Sequence, residues 1–203
     1  GTTKGGKHAY DFLTTWNWSE NWITEADRCQ DITGCVAAAA SENGLDIPQD
    51  PNVPNTFEPS APGARQFIMR GGSLTSATTP AIDSGSYAGD SETIITVSFN
   101  VPSSGPMCSA NGCAVALWFG AHVSAQANWG LGQGAGSING SPYHVALLKV
   151  DGASVGQRDN QMQASAVTPN GTIVIEKEAV PTSAQDFSFN LNNNATISQN
   201  FAL

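Results

Sequence analysis

The chain has 203 residues, only 12% of them charged, a formal net charge of −9 and a pI near 4.5. The charged fraction is about half of the ~25% of an ordinary soluble domain, and Gly71 to Leu148 contains no Lys or Arg. Nucleic-acid binding, which needs clustered cations to displace counterions from phosphate, is excluded by this distribution, and anionic membranes are disfavoured for the same reason.

This length suits one main domain with a small appendage. No apolar run approaches the ~18 residues of a membrane span, and Gly-Thr-Thr-Lys-Gly-Gly carries no apolar signal region. Ser, Thr, Asn and Gln replace charge as the polar residues. Such a surface loses little on desolvation and suits packing against a neighbour.

His8 to Trp18 reads as the first strand and includes Trp16 and Trp18, with Trp22 beyond it. Exposed, these rings could stack on sugars, although Trp at i and i+2 of a strand is more often core or interface. Helix is expected only as a short piece, at Thr24 to Arg28 or Ala37 to Ala40. Cys29 with Cys35, and Cys108 with Cys113, are close pairs around Gly-containing turns. Their spacing departs from zinc knuckles and predicts two local disulfides, as in a secreted protein.

Five prolines, at 48, 51, 54, 59 and 62, make residues 45–63 a long surface loop and not a central strand. Arg65 to Met69 reads as a strand, and Thr93 to Val101 alternates Ile95, Val97, Phe99 and Val101 with polar residues until Pro102 ends it. Ala114 to Ala125 and Tyr143 to Val150 are further β-rich runs, separated by the glycine-heavy stretch Gly130 to Gly140. Met162 to Val167, Thr172 to Val180, Phe187 to Leu191 and Thr196 to Leu203 complete the set. Many short strands with turn residues between them predict an all-β fold, a β-sandwich or jelly roll with a C-terminal strand extension. The expected division is 1–168 for the main domain and 169–203 for the extension.

His122 and His144 fall in neighbouring predicted strands, with Asp151 and Asp159 as candidate third ligands for a zinc or copper ion. The alternative is that both are satisfied structural imidazoles that order the glycine-rich loop between them. Carboxylates at Asp46, Asp50, Asp83, Asp90, Glu92, Asp151 and Asp159 lie in or beside predicted loops, where a structural Ca2+ would be compatible, but none forms an EF-hand pattern. No cofactor is required. Neither a G-x-S-x-G elbow nor a phosphate-binding G-x-x-x-x-G-K-[ST] occurs, and the chain is read as a non-enzyme. Asn17, Asn139, Asn170 and Asn194 begin N-x-[ST] sequons.

Gly120-Ala121-His122, Trp129-Gly130, Ser141-Pro142-Tyr143-His144, Asp151-Gly152 and the stretch Gln157 to Val167 together resemble a module of uncharacterised secreted bacterial and archaeal surface proteins. The C-terminal GTIVIEKEAVPTSAQDFSFNL is similar to the opening strands of the prealbumin-like β-sandwich repeats that follow that module. The likeness covers Gly112 to Leu203 and implies a cell-surface or extracellular-fibre setting. It also implies an isopeptide role for Lys177, with Asn200 as the candidate partner.

The expected function is a structural subunit of an extracellular layer, fibre or tube, a homo-oligomer or polymer joined by β-strand contacts. The alternative is a lectin-like adhesion module that binds polysaccharide. Ile197, Phe201 and Leu203 alternate along the last strand and form the expected assembly face.

Overall fold

A computed structural model describes residues 1–17, 23–139, 143–162, 188–192 and 198–202. In chain order the strands begin with β1 (Thr3–Lys4), β2 (Lys7–His8) and β3 (Tyr10–Thr14). The helix α1 (Glu25–Arg28) follows, then β4 (Asn43–Asp46), β5 (Gln66–Arg70), β6 (Ser73–Ala77), β7 (Ala81–Gly85), β8 (Ser91–Ile94) and β9 (Val97–Asn100). Next come β10 (Cys108–Ser109), β11 (Gly112–Cys113), β12 (Ala116–Trp118), β13 (Gly120–Val123) and a second short helix, α2 (Gln126–Trp129). The hairpin β14 (Tyr143–Val150) and β15 (Ala153–Met162) precedes β16 (Ser188–Asn192) and β17 (Ser198–Ala202). The fold is all-β, and no described helix is long and apolar enough to cross a membrane.

Residues Gly1–Pro169 and Asn170–Leu203 form two compact units. In the first, the largest sheet has the order β2-β1-β8-β7 and a second has the order β12-β5-β4, while β13 with β3, β6 with β9, β10 with β11, and β14 with β15 form two-stranded ladders. In the second unit, β16 and β17 pair antiparallel, with Asn190 opposite Asn200 and Phe189 opposite Phe201.

The strand runs break where the chain changes sheets. Thr93 to Val101 is divided between β8, which pairs with β7 and β1, and β9, which pairs with β6. Ala114 to Ala125 is likewise divided, with β12 on β5 and β13 on β3. Alternation specifies a face but not a pairing partner, so local pattern merges strands that tertiary structure separates. β1, β4, β6, β7, β10 and β11 lie beyond the expected runs, and β15 meets one only at Met162, because these short or polar sequences lack the apolar alternation that marks a half-buried strand.

α1 forms where expected: Thr24 caps it by accepting from the Asp27 N–H, and the Asp27 carboxylate accepts in return from the Thr24 backbone. Around it, Cys29, Cys35, Ala38, Met107 and Ala116 make a small core, with Cys29 disulfide-bonded to Cys35. Gly34, at φ +75°, passes so close to Pro106 that a Cβ would lie 1.9 Å from its carbonyl oxygen. Buried Arg70 on β5 ties this region together, donating to Glu25 and Glu42 and to the Cys35 carbonyl. The guanidinium groups of Arg28 and Arg70 also lie 4.8 and 5.6 Å from the Trp118 ring centroid.

Beyond Asp46, where β4 ends, the proline-rich segment is a largely exposed loop, but part of it turns inward. Ile47, Asp50, Val53 and Glu58 are buried within it. Glu58 forms a 2.7 Å ion pair with Arg65, whose guanidinium also donates to the carbonyls of Pro59, Leu13 and Ile47. Burial pushes the Glu58 carboxyl up and Arg65 only partly offsets it. A loop without ladder partners can be buried here because side chains satisfy its backbone groups.

Candidate functional site

The best-built polar cluster is centred on Asp11. β3 and β13 pair with Phe12 opposite His122 and Tyr10 opposite Val123, so Asp11 is the extra residue of a β-bulge. A bulge re-aims a side chain out of the regular alternation. Asp11 is fully buried, and its two carboxylate oxygens lie 2.6 Å from His122 Nδ1 and 3.1 Å from Trp129 Nε1. The carboxylate fixes the imidazole with its proton on Nδ1, while the His122 side chain is 40% exposed and its ring stacks on Phe12 at 4.4 Å.

Trp129 closes α2 and carries the cluster into the glycine-rich loop. The His8 ring stacks on it at 3.4 Å and Phe57 meets it edge-on at 5.3 Å. His8 Nδ1 is buried without a hydrogen-bond partner among the described residues, and burial lowers the His8 pKa, with Asp11 acting in the opposite sense. Buried Ser124 donates to the His8 carbonyl and accepts from the Ala135 N–H at 3.0 Å, and Tyr143 donates to the Ala135 carbonyl. Ala9, Ala135, Ile138 and Tyr143 form the apolar floor below. These bonds clamp α2 and the following loop against β2 and β3.

His144 is placed apart from His122. It lies on β14, exposed, with its Nδ1 2.7 Å from Asp159 of β15. The two histidines therefore belong to separate ladders and each has its own carboxylate. Asp151, at φ +49°, and Gly152, at φ +78°, occupy the two-residue turn of the β14–β15 hairpin, at the opposite end of β14 from His144. Among the described residues, no group of three or more His, Cys, Asp or Glu side chains is arranged to hold a metal ion. Neither the Arg70 network nor the partners of Asp11 could be read from local spacing.

The hairpin itself is the second notable feature. Eight residues of β14 and ten of β15 pair only with each other among the described residues. Leu147 and Leu148 are each 52% exposed on it. A shallow cleft of about 230 Å3 is lined by His144, Ala146, Leu147, Leu148, Arg158 and Asp159. Its volume falls below the ~300–1,000 Å3 of small-molecule sites and suits an aliphatic side chain better than a cofactor.

Both expected disulfides are present, Cys29–Cys35 and Cys108–Cys113, the second across the β10–β11 ladder. Of the expected assembly face, Ile197 and Leu203 lie outside the described residues, as does Lys177, while Phe201 lies in β17. Trp18 and Trp22 are also outside them. Comparison with family models, curated proteins and solved structures finds no match to this chain.

Proposed function

We propose that this protein is a non-enzymatic structural subunit of an extracellular layer, fibre or tube, built by strand-mediated contacts between copies of the chain. The observation that carries the reading is the β14–β15 hairpin. Two strands on their own are marginal in water, yet this ladder keeps Leu147, Leu148 and Val150 exposed and leaves its outer edges unpaired among the described residues. Backbone donors and acceptors along an open edge are a template for another strand.

Three further features support it. The disulfides fit an oxidising compartment. Low charge reduces the cost of bringing copies together. The resemblance of Gly112 to Leu203 to secreted surface modules points to the same setting, with a sandwich-like second unit. The polysaccharide reading rests on Trp16, Trp18 and Trp22, of which only Trp16 lies among the described residues.

The test is the state of the purified protein as its concentration rises to ~1 mM, followed by light scattering and negative-stain imaging. Filaments, tubes or sheets are the expected result. A monomer throughout that range contradicts the proposal.

A further inference from the structure

We infer that the open edge of β7 in one copy receives the β14–β15 hairpin of a second copy, giving a head-to-tail contact. The inference rests on the assembly reading above and names the two surfaces that meet.

β7 is the terminal strand of the four-stranded sheet, and all five of its residues are exposed. Its neighbourhood is acidic. Asp83 lies on β7 and Glu92 on β8, next to one another across the ladder, where Glu92 faces Ser84. Neither carboxylate forms an ion pair among the described residues, and both are exposed. Exposed Ile82 on β7, and Ile94 on the adjoining β8, add apolar area beside that edge. The stretch from Gly71 to Leu148 supplies no cation of its own to neutralise these acids.

The hairpin has the opposite character. Lys149 on β14 and Arg158 on β15 are exposed and form no ion pair among the described residues, and they flank exposed Leu147 and Leu148. Leu147 and Arg158 are direct cross-strand partners. Two unpaired acids beside two isoleucines thus match two unpaired cations beside two leucines. The five residues of β7 are spanned by either hairpin strand, which has eight or ten. Because the two surfaces are different parts of one molecule, the contact leaves a free edge and a free hairpin at opposite ends of every pair. Such a heterologous contact propagates into a filament unless its rotation closes a ring.

Charges on open strands also serve to prevent pairing, and the test separates the two roles by reversing charge without removing it. Lys149→Glu with Arg158→Glu makes both surfaces of that variant acidic. Asp83→Lys with Glu92→Lys makes both surfaces of the other variant basic. Each variant alone should need at least ~100-fold more protein to assemble than the wild type, while an equimolar mixture should co-assemble, because every contact between unlike variants is then complementary. Unchanged melting temperatures confirm that the folds are intact. If wild type assembles and both variants assemble equally well, or if mixing restores nothing, the edge–hairpin contact is wrong while the assembly reading stands. A monomeric wild type overturns both. As a measurement independent of any variant, wild-type assembly should weaken between ~0.05 and ~1 M salt, where the Debye length falls from above 10 Å to ~3 Å. Assembly indifferent to salt also overturns the contact.

Discussion

Asp11 and His122 are joined across a β-bulge, with a fully buried carboxylate oxygen 2.6 Å from an imidazole nitrogen on the neighbouring strand. The second oxygen takes the Trp129 indole N–H. One residue therefore couples β3, β13 and α2, and the glycine-rich loop inherits its position from that junction.

Replacing Asp11 with Ala should destabilise the protein by about 2–4 kcal/mol, since it leaves the Trp129 indole and the His122 ring without their acceptor. Asp11→Asn keeps one carbonyl acceptor and should lose less. Urea unfolding of the three proteins measures the difference. Equal midpoints for Asp11→Ala and the wild type would show that the junction contributes nothing.

The depressed pKa of His8 predicts a pH dependence of stability. Burial disfavours the imidazolium in the folded state, so the unfolded chain binds more protons between the lowered folded value and the ordinary 6.5. The contribution is complete above 6.5 and is lost as pH falls through the folded value. Glu58 acts in the opposite sense, because its raised pKa gives stability present below 4.5 and lost as pH rises through its folded value. Comparison with His8→Gln isolates the histidine. The variant should show a flatter fall in melting temperature on acidification below 6.5, and parallel curves would contradict the assignment.

The two disulfides should differ in reactivity. Cys29 and Cys35 are buried beneath the Arg70 network, whereas Cys108 and Cys113 are half-buried beside an exposed turn. Thiolate attack requires access to sulfur. Mild reduction of the folded protein should therefore label Cys108 and Cys113 first, as read by peptide mass after alkylation. Removing Cys29–Cys35 by double Ser substitution should cost about 2 kcal/mol, a modest figure because the closed loop is short. Simultaneous labelling of all four cysteines under native conditions would contradict the ordering.

The sequence by itself determined the local features of this protein. Alternation marked β9, the paired cysteines marked both disulfides, and the stretch Thr24 to Arg28 marked α1. Each depends on residues a few positions apart, so short-range sterics and hydrogen bonding suffice. Only tertiary structure decided that 93–101 serves two sheets, that the proline-rich segment is partly buried, that His122 belongs with Asp11 and His144 with Asp159, and that Arg70 meets Glu25 and Glu42. Asp11 and His122 are 111 positions apart in the chain. Their meeting depends on which strands pair and in which register, and a single bulge shifts that register by one residue, which no local pattern specifies.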